Sequence, residues 1–281
     1  MNNPATASQV TCIADRPGGV VVAVTSGKGG VGKSNIAANV AIGLARSGRH
    51  VRLVDADLSL GNLDILMNVR SRHTLADVVS GRKRLDEVIQ EGPHGLEVLC
   101  AASGCERLAD LEDFHRARLI RELAALRHDV DYLILDTPAG LAKTVTGLCL
   151  AADRVWVVTT PDGTAMADAY GLIKVLVRNG LTGHLSLLVN LADNPLQGKR
   201  VYQQVAKVAH RFLDAQVHYA GSLPRDEHLV TAVRTRTPVV MAYPRSPVAV
   251  SLDALAASLG DGATLKVESR PFLRKVASWL C

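Results

Sequence analysis

The segment Gly27-Lys28-Gly29-Gly30-Val31-Gly32-Lys33-Ser34 constrains this chain more than any other stretch. It follows a short β-branched apolar run at residues 20–25. A helical pattern then runs over 33–46, with Ile36, Val40, Ala41 and Leu44 on one face. Strand, glycine-rich turn and helix in that order make a phosphate-binding device. Glycines let the backbone curl so that successive N–H groups face phosphate oxygens. The first turn of the helix adds unpaired N–H groups and a partial positive end. The spacing satisfies G-x-x-x-x-G-K-[ST], in which the lysine reaches the β- and γ-phosphates and the hydroxyl sits on Mg²⁺. Lys33 and Ser34 fill those positions, and Asn35 extends the nucleotide-binding segment.

The rest of the chain repeats the strand–helix theme. Candidate strands are 51–54, ending at Asp55, then 96–100, 132–135, ending at Asp136, 155–159 and 185–189. Candidate helices are 111–127, a segment carrying Met166, Ala169, Leu172, Ile173, Leu176 and Val177, and 198–213. This alternation predicts an α/β fold, a mostly parallel sheet with helices on both faces. Ligands of such sheets bind at the carboxyl ends of the strands, where the glycine loop, Asp55 and Asp136 all lie. The expected organisation is a flexible arm at 1–18, one nucleotide-binding domain at 19–262 and an amphipathic helix at 270–281.

With 281 residues, 48% hydrophobic and 21% charged, the chain can bury a large core. No run reaches the roughly 18 apolar residues of a membrane span, and the first residues lack a secretory pattern, so the expected location is cytoplasmic. The five cysteines (Cys12, Cys100, Cys105, Cys149 and Cys281) form no C-x-x-C pair and are read as reduced thiols. The nine histidines contain no H-E-x-x-H, which argues against zinc. A net charge of +5 and a pI of about 9.0 favour acidic partners such as nucleic acid, anionic lipid or nucleotide. The basic residues at 82–84 and Arg234, Arg236 and Arg245 read first as solvated surface.

Lys28 is a second lysine inside the loop. The pattern K-G-G-x-G-K-[ST] resembles the deviant Walker A motif of the MinD/ParA family of P-loop ATPases. That resemblance implies slow, partner-stimulated ATP hydrolysis with Mg²⁺. It also implies an ATP-dependent homodimer in which the first lysine, Lys28, reaches the partner's phosphates and stabilises transition-state charge. The family's D-x-D matches Asp55-Ala56-Asp57, and its second carboxylate, Asp57, positions the attacking water beside the metal. Asp136 resembles the Walker B carboxylate, which holds Mg²⁺ through water, so the implied metal set is Ser34, Asp57 and Asp136. Asn190 matches an asparagine that reads the adenine edge, and Pro224-Arg225-Asp226 resembles a P-x-D loop packed on the base. Ordinary turn chemistry is the alternative for these last four residues.

Within the family, several segments are similar to the FlhG branch, also called YlxH or FleN, close to MinD. Asp57-Leu58-Ser59-Leu60-Gly61-Asn62-Leu63-Asp64 fits D-L-G-x-x-N-x-D, with Ser59 in place of the usual glycine. Asp168-Ala169-Tyr170-Gly171-Leu172-Ile173-Lys174 fits D-A-Y-x-x-I-K, although Ala167 replaces the usual threonine. The branch controls flagellar number and placement, and MinD places the division septum. The branch's D-Q-A-x-x-L-R motif, which stimulates the GTPase FlhF, has no match in residues 1–19, so that role is not implied.

In the final segment, Phe272, Val276, Trp279 and Leu280 would share one helical face, with Leu273 beside them and Arg274 and Lys275 off it. This resembles the family's membrane-targeting helix, which implies peripheral attachment to anionic lipid on the inner face of the cell membrane. A final helix docked on the core is the alternative. Other implied partners are the second copy of the chain and an unidentified activating protein. A ParA-type partition ATPase binding DNA non-specifically is the alternative function. An electron carrier like the nitrogenase iron protein would need Cys105 and Cys149 in surroundings that do not match.

Overall fold

A computed structural model of the chain describes residues 18–57, 61–69, 71–101, 123 and 125–261. Within them eight strands form one sheet: β1 (Val20–Ser26), β2 (Val51–Asp55), β3 (Gln90–Glu91), β4 (Glu97–Leu99), β5 (Tyr132–Ala139), β6 (Arg154–Thr159), β7 (His184–Ala192) and β8 (His218–Pro224). Their spatial order is β3-β4-β2-β5-β1-β6-β7-β8, and every neighbouring pair is parallel except β3 with β4. The described helices are α1 (Lys33–Arg46), α2 (Leu63–Met67), α3 (Leu75–Val79), α4 (Lys143–Ala151), α5 (Gly163–Arg178), α6 (Pro195–Leu213), α7 (Glu227–Arg234), α8 (Val239–Ala242) and α9 (Pro247–Asp261).

The two-residue period of the strands sorts their side chains between two cores. Val21 and Ala23 of β1, Leu133 and Leu135 of β5, and Val155 and Val157 of β6 face α4, α5 and α6, packing among Leu148, Leu172, Leu176 and Val205. Val22, Val24, Leu53, Ile134 and Val158 point the other way, onto Ile36, Val40 and Leu44 of α1 and Leu252, Leu255 and Leu259 of α9. Both faces are covered, which is why the strands read as continuous apolar runs. The connection after β1 runs through α1 to β2 on one side, and the one after β5 runs through α4 to β6 on the other. The connections diverge there and open a crevice at the carboxyl ends of β1 and β5.

α1 occupies the residues its periodicity predicts, and β5 runs four residues past the predicted strand. Thr137 to Ala139 stay extended beside β1, held by Thr137 Oγ1 donating to the Val24 carbonyl (3.2 Å) and Gly140 N–H to the Ser26 carbonyl (2.9 Å). β8 carries no apolar run and shifts register against β7 between Leu187 and Leu188, so periodicity did not reveal it. Residues 1–17 of the arm, most of the helix expected at 111–127, Cys105, and the tail with Phe272, Leu273, Val276, Trp279 and Leu280 lie outside the described residues. No described helix is long and apolar enough to cross a membrane.

α9 spans the sheet from its carboxyl end, where Val248 N–H bonds the Asp226 carboxylate (3.1 Å), to its amino end, where the Tyr132 hydroxyl bonds the Leu259 carbonyl (3.2 Å). It lies along α1, pinned by Arg46 to Asp253 at 2.6 Å. The fully buried Asn39 ties α1 to α8: its Oδ1 accepts from Val240 N–H (3.1 Å) and its Nδ2 donates to the Asn35 carbonyl (2.7 Å). Asn39→Ala leaves the Val240 N–H without its acceptor in the core and costs about 1–3 kcal/mol. A lowered urea midpoint at unchanged m-value measures it.

Candidate functional site

The turn between β1 and α1 is built on glycine. Gly30 and Gly32 have φ of 76° and 95°, in the left-handed region that side chains disfavour. Gly32 immediately precedes α1, whose first turn has neither a side-chain cap nor an acidic residue. Its leading N–H groups therefore remain for an anion. Two close approaches hold the loop. A Cβ on Gly27 would sit 2.2 Å from the Asp168 carbonyl oxygen on α5. One on Gly32 would sit 2.4 Å from Nδ2 of Asn190, which is 2% exposed and donates to the Val31 carbonyl at 2.8 Å.

Asp55 and Asp136 stand side by side at the ends of β2 and β5. Burial pushes the Asp55 carboxyl up to about 7, helped by Asp136 and opposed by the N–H groups of Leu63 and Asp57. Burial likewise pushes Asp136 up to about 6, against the pull of the Ser34 hydroxyl, which hydrogen-bonds it, and of Lys33. Lys33 is lowered by its own burial, while Asp136 and Asp57 draw it back up. Among the described residues, the buried Oδ1 of Asp136 has no hydrogen-bond partner. An orphaned carboxylate oxygen beside the Ser34 hydroxyl fits a water-bearing divalent cation, since Mg²⁺ takes hard oxygen ligands and keeps several waters. A cavity of about 690 Å³ opens over Gly29 to Asn35, with Asp57, Pro138 and Ala139 also lining it. Asn62, Ile65, Leu66 and Val233 complete its wall. Ile65, Leu66 and Val233 are lining residues that no motif signals; only the placement of α2 and α7 brings them there.

Lys28 lies along its own chain. Its Nζ is 2.8 Å from Asp162 Oδ2 and donates to Thr164 Oγ1 at 2.6 Å. Asp162 also caps α5 by accepting from Thr164 N–H (3.2 Å). The Lys28 hydrogen bond leads the contacts that hold the Asp162 carboxyl below the usual range. With 42% and 51% of the two side chains exposed, the pair is worth little in stability.

The residues assigned to the base are engaged with protein. Besides holding Val31, Asn190 accepts at Oδ1 from Leu191 N–H (2.9 Å). Pro224 ends β8, and Arg225 N–H bonds the Ala192 carbonyl at 3.1 Å. Asp226 uses Oδ1 for His228 N–H (2.9 Å), capping α7, and Oδ2 for Val248 N–H (3.1 Å) on α9. Burial opposes ionisation of Asp226, but those N–H groups and His228 outweigh it and hold its carboxyl low. Asn190→Ala frees the Val31 carbonyl, so affinities for adenine and guanine nucleotides should fall by the same factor, about 10-fold. A loss confined to adenine nucleotides, seen by calorimetry, would instead mark base reading.

The family model described as ParA, NUBPL iron-transfer P-loop NTPase, matches residues 19–260. The antiactivator FleN of Pseudomonas aeruginosa is 39% identical over 236 residues, 84% of each chain. The flagellum site-determining protein YlxH of Helicobacter pylori is 34% identical over 239 residues, 85% of this chain and 81% of that one. Among solved structures, the septum site-determining protein MinD of Pyrococcus horikoshii OT3, complexed with Mg-ADP, superposes with a TM-score of 0.74 at 24% identity. That match covers 89% of this chain and 99% of MinD and establishes the shared fold. The chain belongs to the ParA family of P-loop NTPases.

Proposed function

We propose that this chain is an ATP-hydrolysing switch of the FlhG and MinD kind, which binds ATP with Mg²⁺ and regulates flagellar number and placement or the division site. One observation carries the reading: Lys33, Ser34 and Asp57 gather around a buried Asp136 whose Oδ1 lacks a partner among the described residues, beneath a glycine loop that carries a second lysine. Lys33 and the loop N–H groups hold the phosphates. Ser34 and Asp136 seat the cation, which when bound neutralises charge developing on the phosphoryl oxygens. Asp57 orients the attacking water. Lys28 leaves Asp162 and Thr164 to reach the phosphates of a second copy.

The name of the YlxH relative, flagellum site-determining protein, supports the flagellar role. Iron transfer, which the family description names, calls for reactive thiolates. Burial raises both Cys100 and Cys149 to about 12, and the sequence has no C-x-x-C. A DNA-binding role draws on the exposed Arg234, Arg236 and Arg245, which have no ion pair among the described residues. The basic run at 82–84 is paired internally with Asp77, Glu87 and Asp86. Salt-dependent, ATP-dependent binding to random duplex would favour the partition role.

On this reading residues 19–262 are the ATPase domain, and the segment 270–281 attaches an ATP-bound dimer to anionic lipid on the inner membrane face. Phe272, Leu273, Val276, Trp279 and Leu280 enter the bilayer, two tails together gaining avidity that one lacks. An activating protein then speeds hydrolysis and releases it.

Asp57→Ala should lower kcat for phosphate release at least 10-fold while ATP still binds; unchanged turnover removes its catalytic role. The full chain should sediment with anionic vesicles in ATP and much less in ADP. Equal sedimentation of a chain ending at Arg270 would remove the tail from the mechanism.

A further inference from the structure

We infer that Asp55, the first carboxylate of the D-x-D segment, is the positioning residue that fixes where Asp57 stands. This rests on the reading that Asp57 orients the attacking water. Asp55 and Asp136 are neighbours in register, buried at the same end of the sheet, yet their oxygens are used differently. Asp136 keeps Oδ1 unpartnered among the described residues. Asp55 spends both of its oxygens on backbone. Oδ1 accepts from Asp57 N–H at 3.1 Å, and Oδ2 accepts from Asn62 N–H at 3.0 Å and Leu63 N–H at 3.2 Å.

These bonds join the residue on which the chain leaves β2 to the residues on which it returns. Asp57 lines the cavity at one end of this tie and Asn62 at the other. The adjoining Ala56 N–H is bound to the Asp136 carbonyl at 2.9 Å, so the strand is anchored up to the residue before Asp57. At Asp57 itself, the Asp55 carboxylate takes over as the backbone's acceptor.

Gly61 makes room for the tie. A Cβ there would lie 2.7 Å from Asp55 Oδ2 and 2.6 Å from the Ala101 side chain. Any side chain at 61 must push the carboxylate off its N–H partners or displace the segment around it. The glycine and the aspartate therefore act as one device, and disturbing either shifts Asp57 without touching a phosphate contact. A misplacement of about 1 Å at a reacting group is enough to cost roughly 100-fold in rate.

Two variants test this from independent directions. Asp55→Asn keeps the volume but replaces one acceptor oxygen by an NH₂ group, which cannot accept. Gly61→Ala leaves every charge in place and acts through space alone. The full chain is assayed for phosphate release at saturating Mg-ATP and for Mg-ADP affinity by calorimetry, with the thermal midpoint in ADP reporting folding. The expected result is a kcat lowered about 10-fold or more in both, with Mg-ADP Kd within about 2-fold of the parent. A folded Asp55→Asn or Gly61→Ala protein with parental kcat overturns the inference. So does a parallel loss of kcat and Mg-ADP affinity, which would make Asp55 part of the nucleotide or cation seat. Asp57→Ala, run alongside, separates the levels. If it retains parental turnover, the assignment of Asp57 fails. If it is inactive while the other two are not, only the positioning role fails.

Discussion

The turn at 27–32 works because four of its six residues are glycine, which leaves the backbone free to curl. Gly27 lies against the Asp168 carbonyl of α5 and Gly32 against the Asn190 amide of β7. The loop is thus gripped from both sides by elements distant in sequence, and its curvature follows from where they stand. The rest of the site depends on that grip. Lys33 and Ser34 begin α1, so the path of the loop decides how their side chains meet Asp136. α1 in turn is fixed by a buried amide, Asn39, and by its length of contact with α9. A loop of glycines is entropically costly to order, and here the ordering comes from the packed strands and helices around it.

Charge is concentrated where water is scarce. Lys33, Asp55, Asp57 and Asp136 crowd the ends of β2 and β5, and burial drives both Asp55 and Asp136 well above the ordinary carboxylate range. A carboxylate in such a place needs donors or a cation. Asp55 has its donors in three backbone N–H groups, whereas among the described residues Asp136 is supported by the Ser34 hydroxyl and Lys33. Identical side chains on adjacent strands thus differ in availability. The difference comes from which of them the following loop folds back upon.

Much of this was legible in the sequence, for identifiable reasons. The phosphate loop and α1 were legible because glycine spacing and a 3.6-residue period are local signals. The central strands were legible because burial on both faces leaves an unbroken apolar run. β8 was not, since Gly221 and its polar neighbours interrupt any period and its place depends on pairing with β7. The cavity wall at Ile65 and Val233 was invisible for a similar reason: exposed apolar residues on short helices carry no periodic message. Asn190 and Asp226 were expected at the base. Their polar atoms, however, turn inward to fasten Val31, α7 and α9. Pattern identifies which residue types matter, but only packing shows which of their hydrogen bonds are already spent.

α9 gives the molecule a length scale. Its 15 residues rise about 22 Å, from Asp226 at the nucleotide end of the sheet to Tyr132 at the far end. Asp261 therefore stands a full sheet's height from the strand ends at which the glycine loop lies. A change at the phosphates that is to be felt at Asp261 must be carried over that length by the packed elements between, α1 and α9 foremost.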